Sequence, residues 1–320
     1  MCAPCQFLFN VIQLFHVVFY QVIDTERNQY IMRTAVVTDT NSGITVEDGR
    51  RKGIYVLSMP VIVEDNCYLE GEDITNAELY EALNNHREVS SSQPSPGSII
   101  SLWDTVFQDG YDDIVYIPMS SSLSGSCENA MQLATDYNGK VLVVDNHRIS
   151  VTLMESVYDA KRLADSGIPA KEIKARLEAS SYDASIYITV NSLEYLKKSG
   201  RITASAAAIA GILNIKPVLT IQGDKLDLFA KVRGMKQSER KMIEALKQDI
   251  ATRFADVPAD RLRFATAGTF ETAEEAEAWR SLVQSEFPHA SVYYAPLSCS
   301  IACHVGVGAC GIGVSILLAQ

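Results

Sequence analysis

The chain has 320 residues, of which 47% are hydrophobic, and a formal net charge of −11 at pH 7. Typical domains contain about 100–150 residues, so this length predicts two domains. The acidic balance argues against binding to nucleic acid or to an anionic membrane surface. The seven cysteines are odd in number and scattered along the chain. They indicate a reducing compartment rather than a disulfide framework, and we expect a cytoplasmic protein.

The first residues differ from the rest of the chain. The run Phe7–Ile23 is apolar but interrupted by several polar residues. A membrane helix needs roughly 20 predominantly apolar residues, and a secretory signal needs a positive start and a small-residue cleavage site. The run meets neither requirement. We therefore expect residues 1–32 to be an extension outside the main fold, with the natural start at Met32; an anchor and a genuine helix are the alternatives.

Strand and helix signals alternate between residues 33 and 182. Thr75 and Glu78 have the spacing of a capping box, and Ser95 followed by Pro96 is typical of a helix start. Near-continuous apolar strands separated by helices predict an α/β domain whose parallel sheet is covered on both faces. The predicted strands are Ala35–Thr38, Ile54–Val63, Ile114–Pro118 and Val141–Asp145, and the predicted helices are Thr75–Asn85, Pro96–Phe107, Leu123–Asp136 and Val151–Ser166.

The pattern changes after residue 183 and predicts a mixed α+β second domain over residues 183–320. Two short strands on either side of Gly223 form a predicted hairpin. We expect a ligand to bind between or within the two domains. The predicted strands are Ser185–Val190, Val218–Ile221, Leu226–Phe229, Leu262–Ala267, Val292–Ala295 and Ile312–Leu318, and the predicted helices are Leu193–Lys198, Ala204–Leu213, Met235–Phe254 and Thr272–Phe287.

Hydroxyl-rich turns follow predicted strands. Asp39–Ser42 follows the first strand, Ser120–Ser126 follows a later strand and leads into a helix, and Ser90–Ser95 is a second serine-rich turn. Ligands of open parallel sheets bind beyond the carboxyl ends of the strands. Serines also cap helices and form turns. The two serine-rich turns, together with Arg201 and a turn at His304, nevertheless favour a site that binds a small anionic group.

These motifs, in this order, resemble the bacterial DegV family of fatty-acid-binding proteins, which partner a fatty acid kinase. The resemblance extends over residues 33–314, and its motifs are specific as a set although each is weak alone. They are Val37-Thr38-Asp39-Thr40, Met59-Pro60-Val61, Glu72-Asp73-Ile74, Ser92-Gln93-Pro94-Ser95, Ser121–Ser126, Val144-Asp145-Asn146, Leu193–Lys198 with Gly200-Arg201-Ile202, Leu213–Pro217, Lys231–Gly234 and His304–Gly308.

The resemblance implies a non-catalytic carrier that buries a long-chain fatty acid and presents its carboxylate to the kinase. By position, the carboxylate ligands are Ser91, Ser124, Arg201 and His304, and neither a cofactor, a metal nor stable membrane insertion is implied. Ser91 stands where the family usually has Thr, and Ser199 where it has Gly. These departures leave the preferred acyl chain length open.

Enzymatic function is the alternative. A Ser/His-dependent acyl hydrolase would use Ser124 as nucleophile and His304 as base, but it also needs an orienting acid and an oxyanion hole, for which the sequence offers no clear candidate. A metal site at Cys299, Cys303 and His304 lacks a fourth ligand of standard spacing. A carrier is therefore the favoured hypothesis.

Overall fold

The computed structural model describes residues 32–209, 215–223 and 225–319. Residues from Arg33 onward form a compact unit. None of the helices within the described ranges is both long and apolar enough to cross a membrane. The apolar run Phe7–Ile23 lies outside these ranges, so the prediction that residues 1–32 form an extension stays a prediction.

The strands and helices of the described chain are numbered in chain order. The strands are β1 Thr34–Asp39, β2 Ile54–Leu57, β3 Pro60–Val63, β4 Asn66–Leu69, β5 Val89–Ser91, β6 Asp113–Ile117, β7 Val141–Val143, β8 Ala184–Thr189, β9 Ile215–Ile221, β10 Asp227–Arg233, β11 Leu262–Gly268, β12 Val292–Pro296 and β13 Cys310–Ile316. The α-helices are α1 Val46–Lys52, α2 Asn76–Asn84, α3 Pro96–Gln108, α4 Ser126–Ala134, α5 Ser150–Asp165, α6 Ala170–Ala179, α7 Glu194–Ser199, α8 Ala204–Ala207, α9 Met235–Thr252, α10 Ala273–Glu286 and α11 Cys299–Val305.

Four described strands form the predicted parallel sheet, in the order β2-β1-β6-β7. Alternate residues of β1 enter two different cores: Val37 packs in the cluster that contains Trp103 of α3, whereas Val36 packs in the cluster that contains Leu153 of α5. Helices thus cover both faces, which is why the strands are apolar on both sides. The prediction of a parallel α/β layer is confirmed.

The prediction of one strand over Ile54–Val63 is wrong. The chain leaves the parallel sheet after Leu57, and Pro60 begins β3 in a separate antiparallel sheet of order β4-β3-β5. The continuous apolar run concealed this break because both segments are buried. The short strands β4 and β5 were not predicted, and neither were α1, α6 and α11.

The second large sheet is mixed, with the order β10-β9-β8-β13-β11-β12. The predicted hairpin is confirmed, since β9 and β10 pair antiparallel. One face of the sheet packs against α9 and α10, and the other shares a core with α5. Strand β8 begins at Ala184, although the division into domains 33–182 and 183–320 itself stays a prediction. Of the predicted helix Ala204–Leu213, α8 covers Ala204–Ala207, and residues 210–213 lie outside the described chain.

Gly49 provides a test of how α1 packs on β2. A methyl group there would lie 2.5 Å from Val56 Cγ2 and 2.7 Å from the Ile54 carbonyl oxygen. We expect Gly49→Ala to lower the free energy of unfolding by about 1–3 kcal/mol, because overpacking outweighs the better helix propensity of Ala. The measurement is urea denaturation followed by circular dichroism.

Gly97 is the matched control, since it is also helical but exposed, with its nearest neighbour 3.8 Å from the added methyl group. Gly97→Ala should leave stability unchanged or raise it by up to about 1 kcal/mol. Equal effects of the two substitutions would contradict the packing described here.

Candidate ligand-binding site

A cavity lies between the inner face of the mixed sheet and the loops that follow the parallel strands. All four residues proposed from the sequence, Ser91, Ser124, Arg201 and His304, line it. Most of the lining is apolar, and the polar side chains are few, as is usual for small-molecule pockets. The apolar side chains are Met59, Met119, Leu123, Ile149, Val151, Ile186, Ile188, Leu196, Ile221, Leu226, Ala267, Leu297, Ile301, Val305 and Ile312.

Ser91 and His304 share a hydrogen bond of 2.8 Å between Oγ and Nε2. Ser91 ends the short strand β5, and His304 lies in the last turn of α11, 213 residues further along the chain. The expectation of a turn at His304 is wrong, because the residue is helical. The helix ends at Gly306, whose φ of 73° suits glycine and where a methyl group would come within 3.0 Å of the Tyr195 ring.

His304 is held in its neutral form. Burial, and to a lesser degree the positive charge of Arg201, lowers the pKa of the imidazole to about 4. At neutral pH the ring therefore donates through one nitrogen and accepts through the other. It can relay a hydrogen bond through Ser91 without adding a charge to the site.

Arg201 follows α7 and supplies a permanent positive charge to the cavity wall. Gly200 ends the helix with a φ of 72°, and the backbone N–H of Arg201 then donates to the Leu196 carbonyl. The guanidinium donates to the Ser199 carbonyl. This local wrapping keeps the side chain close to its own helix end, where its positive charge also acts on the His304 imidazole.

Ser124 lies in the serine-rich loop between β6 and α4. Its hydroxyl oxygen accepts a hydrogen bond of 3.2 Å from the backbone N–H of Ser126, which leaves the hydroxyl proton available to a ligand. Two residues earlier, Ser122 donates to the carbonyl of Gly223 in the β9–β10 turn at 2.9 Å. The loop therefore connects the parallel layer to the mixed sheet beside the cavity.

The arrangement does not favour the hydrolase alternative. Within the described chain, the hydrogen-bonded hydroxyl partner of His304 is Ser91 rather than Ser124, and no carboxylate hydrogen-bonds to the imidazole. The thiols of Cys299 and Cys303 contact the Asn76 amide oxygen and the Ser90 carbonyl, and burial raises both pKa values. No cluster of three or more His, Cys, Asp or Glu suited to a metal ion occurs among the residues that the structure describes.

Five further polar residues line the cavity and were not proposed as ligands: Asn41, Ser92, Gln93, Ser150 and Ser300. The Ser300 hydroxyl donates to the Asn41 amide oxygen at 2.6 Å. Asn41 belongs to the turn after β1, and Ser300 lies one helical turn before His304 on α11. The spacing of four residues would have identified Ser300 as a neighbour of His304 if α11 had been predicted.

A mainly apolar cavity that also carries polar side chains is typical of small-molecule-binding proteins. The model of the DegV family matches residues 33–316, and the chain belongs to this family. A DegV domain-containing protein of Listeria innocua is 28% identical over 290 residues, which are 89% of this chain and 99% of the relative.

Solved structures agree with this assignment. A DegV family protein from Thermus thermophilus, described as fatty-acid-binding, has a TM-score of 0.79 and 27% identity, with 89% of this chain and 100% of that chain covered. DegV from Bacillus subtilis, also described as a fatty acid binding protein, has a TM-score of 0.77 and 24% identity, covering 89% and 99% of the two chains, and supports the fold. The predicted fold class and family are both confirmed, whereas the roles of the four site residues stay predictions.

His304 should make stability depend on pH. Its pKa of about 4 in the folded chain lies below the value of about 6.5 expected when unfolded, so the unfolded chain binds more protons between these values. The free energy of unfolding should therefore fall by up to about 3 kcal/mol as the pH drops from about 6.5 to 4. Urea denaturation at several pH values measures this loss.

His304→Gln removes the titration and keeps a side chain that can hydrogen-bond to Ser91. Between pH 6.5 and 4, the free energy of unfolding of this variant should fall less than that of the wild type, and the difference should be up to about 3 kcal/mol. An identical pH profile for both proteins would contradict a buried, neutral His304.

Proposed function

We propose that the protein binds a long-chain fatty acid, buries the acyl chain in the cavity and presents the carboxylate to a fatty acid kinase. The observation that carries this proposal is one cavity whose wall is mainly apolar and whose polar side chains include a permanent cation beside a neutral hydrogen-bonding pair. The fatty-acid binding described for the protein from Thermus thermophilus supports the same class of ligand.

The apolar lining accounts for affinity. Burying an acyl chain of about 14 methylene groups contributes about 11 kcal/mol before the costs of association, at about 0.8 kcal/mol per group. This hydrophobic contribution is not directional, so it does not determine which end of the fatty acid enters the cavity first. Orientation has to come from the polar end.

The head group explains orientation. A carboxylate removed from water is costly unless charge-assisted hydrogen bonds replace its hydration. In the proposed complex, His304 donates through Nε2 to Ser91, Ser91 donates to one carboxylate oxygen, and Ser124 donates as well. Arg201 compensates the negative charge because a guanidinium stays protonated.

The kinase role follows from the chemistry of the head group. Phosphoryl transfer to a carboxylate requires that its oxygen be oriented and its charge partly screened, which a nearby fixed cation can do. In this proposal the protein is a carrier in the bacterial cytoplasm, and the kinase supplies the catalytic groups.

Fatty-acid binding is tested by mass spectrometry of lipids extracted from the purified protein. We expect a long-chain acid, and we expect Ser91→Ala and Ser124→Ala each to weaken binding by about 1.5–3 kcal/mol through loss of one hydrogen bond to a charged group. Isothermal titration with C14–C18 acids provides the affinities.

Ser95→Ala is the control for loss of a hydroxyl, because Ser95 caps α3 and is exposed. It should bind the acid as the wild type does. Recovery of no lipid, together with no binding of added C14–C18 acids, would exclude the proposed ligand. Unchanged affinity in both cavity variants would exclude these two hydroxyls as its partners.

Presentation to the kinase is tested separately from binding. Arg201→Ala and His304→Ala should lower acyl-phosphate production in a reconstituted kinase assay more than they lower fatty-acid affinity, because Arg201 screens the charge of the reacting carboxylate and His304 orients it through Ser91. Arg201→Lys retains a charge but not the planar donor geometry, and we expect it to restore part of the activity.

Lys247→Ala removes an exposed cation that pairs with Glu286 on the helical side of the mixed sheet, and it should have no effect in either assay. Equal losses of binding and of acyl-phosphate production would assign Arg201 and His304 to binding alone. No loss in either measurement would place both residues outside the site.

A further inference from the structure

The inner face of the mixed sheet consists of rows of side chains that lie directly opposite one another on neighbouring strands. Residues paired in this way share a face and have Cβ atoms about 4.5–5.5 Å apart. One row, called here the floor row, contains Leu219, Ile188, Gly311, Ala267 and Ala295. The next row, called the end row, contains Ile221, Ile186, Gly313, Ala265 and Tyr293.

The floor row leaves space above the middle of the sheet. Gly311 and Ala267 are paired there, and both line the cavity. A methyl group added to Gly311 would meet the Tyr187 carbonyl oxygen at 3.3 Å and Ile188 at 3.7 Å, both within the sheet. The three heavy atoms nearest to that position all belong to the sheet, and Gly311 itself lines the cavity, so the space above it is part of the cavity.

The end row is closed by α5. A methyl group added to Gly313 would lie 3.1 Å from Val151 Cγ2 and 3.5 Å from Thr152 Cγ2. The helix therefore fills the space above Gly313, whereas the space above Gly311, one row away, stays open. On the other side of Gly313 in the same row, Ile186 pairs with Ile221, and both of these side chains line the cavity together with Val151.

The Ile186–Ile221 pair also borders a second, smaller pocket at the surface. This outer pocket shares the two isoleucines with the acyl cavity and is otherwise formed by different residues. Tyr182, whose ring stacks on His147 at 6.0 Å between centroids, is one of them. One cross-strand pair of side chains therefore separates the cavity from the outer pocket.

The backbone on either side of the Ile186–Ile221 pair is held in place by hydrogen bonds. Gly223, next to β9, belongs to the outer pocket, and its carbonyl accepts the hydrogen bond from Ser122 of the serine-rich loop. On β8, the Ile186 carbonyl accepts a hydrogen bond of 3.0 Å from the Thr220 hydroxyl. These contacts fix the backbone on which the two isoleucines are carried.

We infer that the Ile186–Ile221 pair is the end wall of the acyl cavity and sets the longest fatty acid that the protein accepts. The inference rests on the proposed function, because it assigns the wall to the terminal methyl group of the bound acid. The polar pair Ser91–His304 lies at α11 and β5, whereas the isoleucines lie on β8 and β9. An acyl chain held by its carboxylate would cross the floor row and meet the wall.

The test compares affinities for saturated acids from C14 to C22 by isothermal titration. Ile186→Ala with Ile221→Ala opens the cavity into the outer pocket, and the affinity for C20 and C22 acids relative to C16 should rise at least about tenfold, or about 1.4 kcal/mol. Ile221→Phe should shift the preference toward shorter acids because the larger ring extends the wall.

Ile188→Ala is the matched control. Ile188 lies two residues along β8 on the same face and lines the cavity but not the outer pocket. Its truncation widens the cavity without opening the wall, so the relative affinities of long and short acids should stay within about twofold. The double substitution Ile186→Val and Ile221→Val, which disturbs the core less, should shift the preference in the same direction as the Ala pair.

The outcomes separate this inference from the proposed function. If the wild-type protein binds none of the acids, the proposed function fails, and the inference about the end wall fails with it. If the wild type binds acids but all wall variants, folded by circular dichroism, keep its chain-length profile, the wall inference fails alone. A shift in Ile188→Ala as large as that in the wall variants would also overturn it.

Discussion

The site depends on one buried carboxylate, that of Glu70. It accepts hydrogen bonds from the backbone N–H groups of Cys299 and Ser300 at 2.6 and 3.3 Å and from the Thr40 hydroxyl at 2.9 Å. Negative charge is favourable at a helix N-terminus, although burial raises the pKa of Glu70. The carboxylate thereby ties the start of α11 to the turn after β1, and His304 is carried on that helix to Ser91.

The candidate site forms only when the chain is folded. Ser91, Ser124, Arg201 and His304 lie on four separate segments, and the Ser91–His304 contact joins residues 213 positions apart. Contacts of such long range form only when the sheets and the intervening helices are in place. Substitutions far from the cavity, such as overpacking beneath α1, therefore reduce the population of binding-competent molecules without altering the geometry of the site itself.

The sequence was sufficient for the parallel sheet, because buried strands alternate with helices that have clear starts, such as Ser95 followed by Pro96, a cap present in the structure at the start of α3. It was not sufficient for α11, since a seven-residue helix rich in small residues has almost no periodic signal. Missing this helix also concealed Ser300. The four proposed residues could be assigned to one site only through the family resemblance. Hydroxyl-rich turns alone do not show which segments of the chain meet in the fold.

The charges of the site indicate which head group suits it. The positive charge of Arg201 contributes to the low pKa of His304. A neutral alcohol or ester in the cavity would leave this effect in place, because it brings no negative charge to Arg201. A carboxylate would compensate Arg201 and oppose the electrostatic part of the shift, so the pKa of His304 would rise on binding. In the proposed complex, the neutral histidine and the fixed cation would thus match one negative charge, and the acyl chain would supply affinity that the polar groups alone do not.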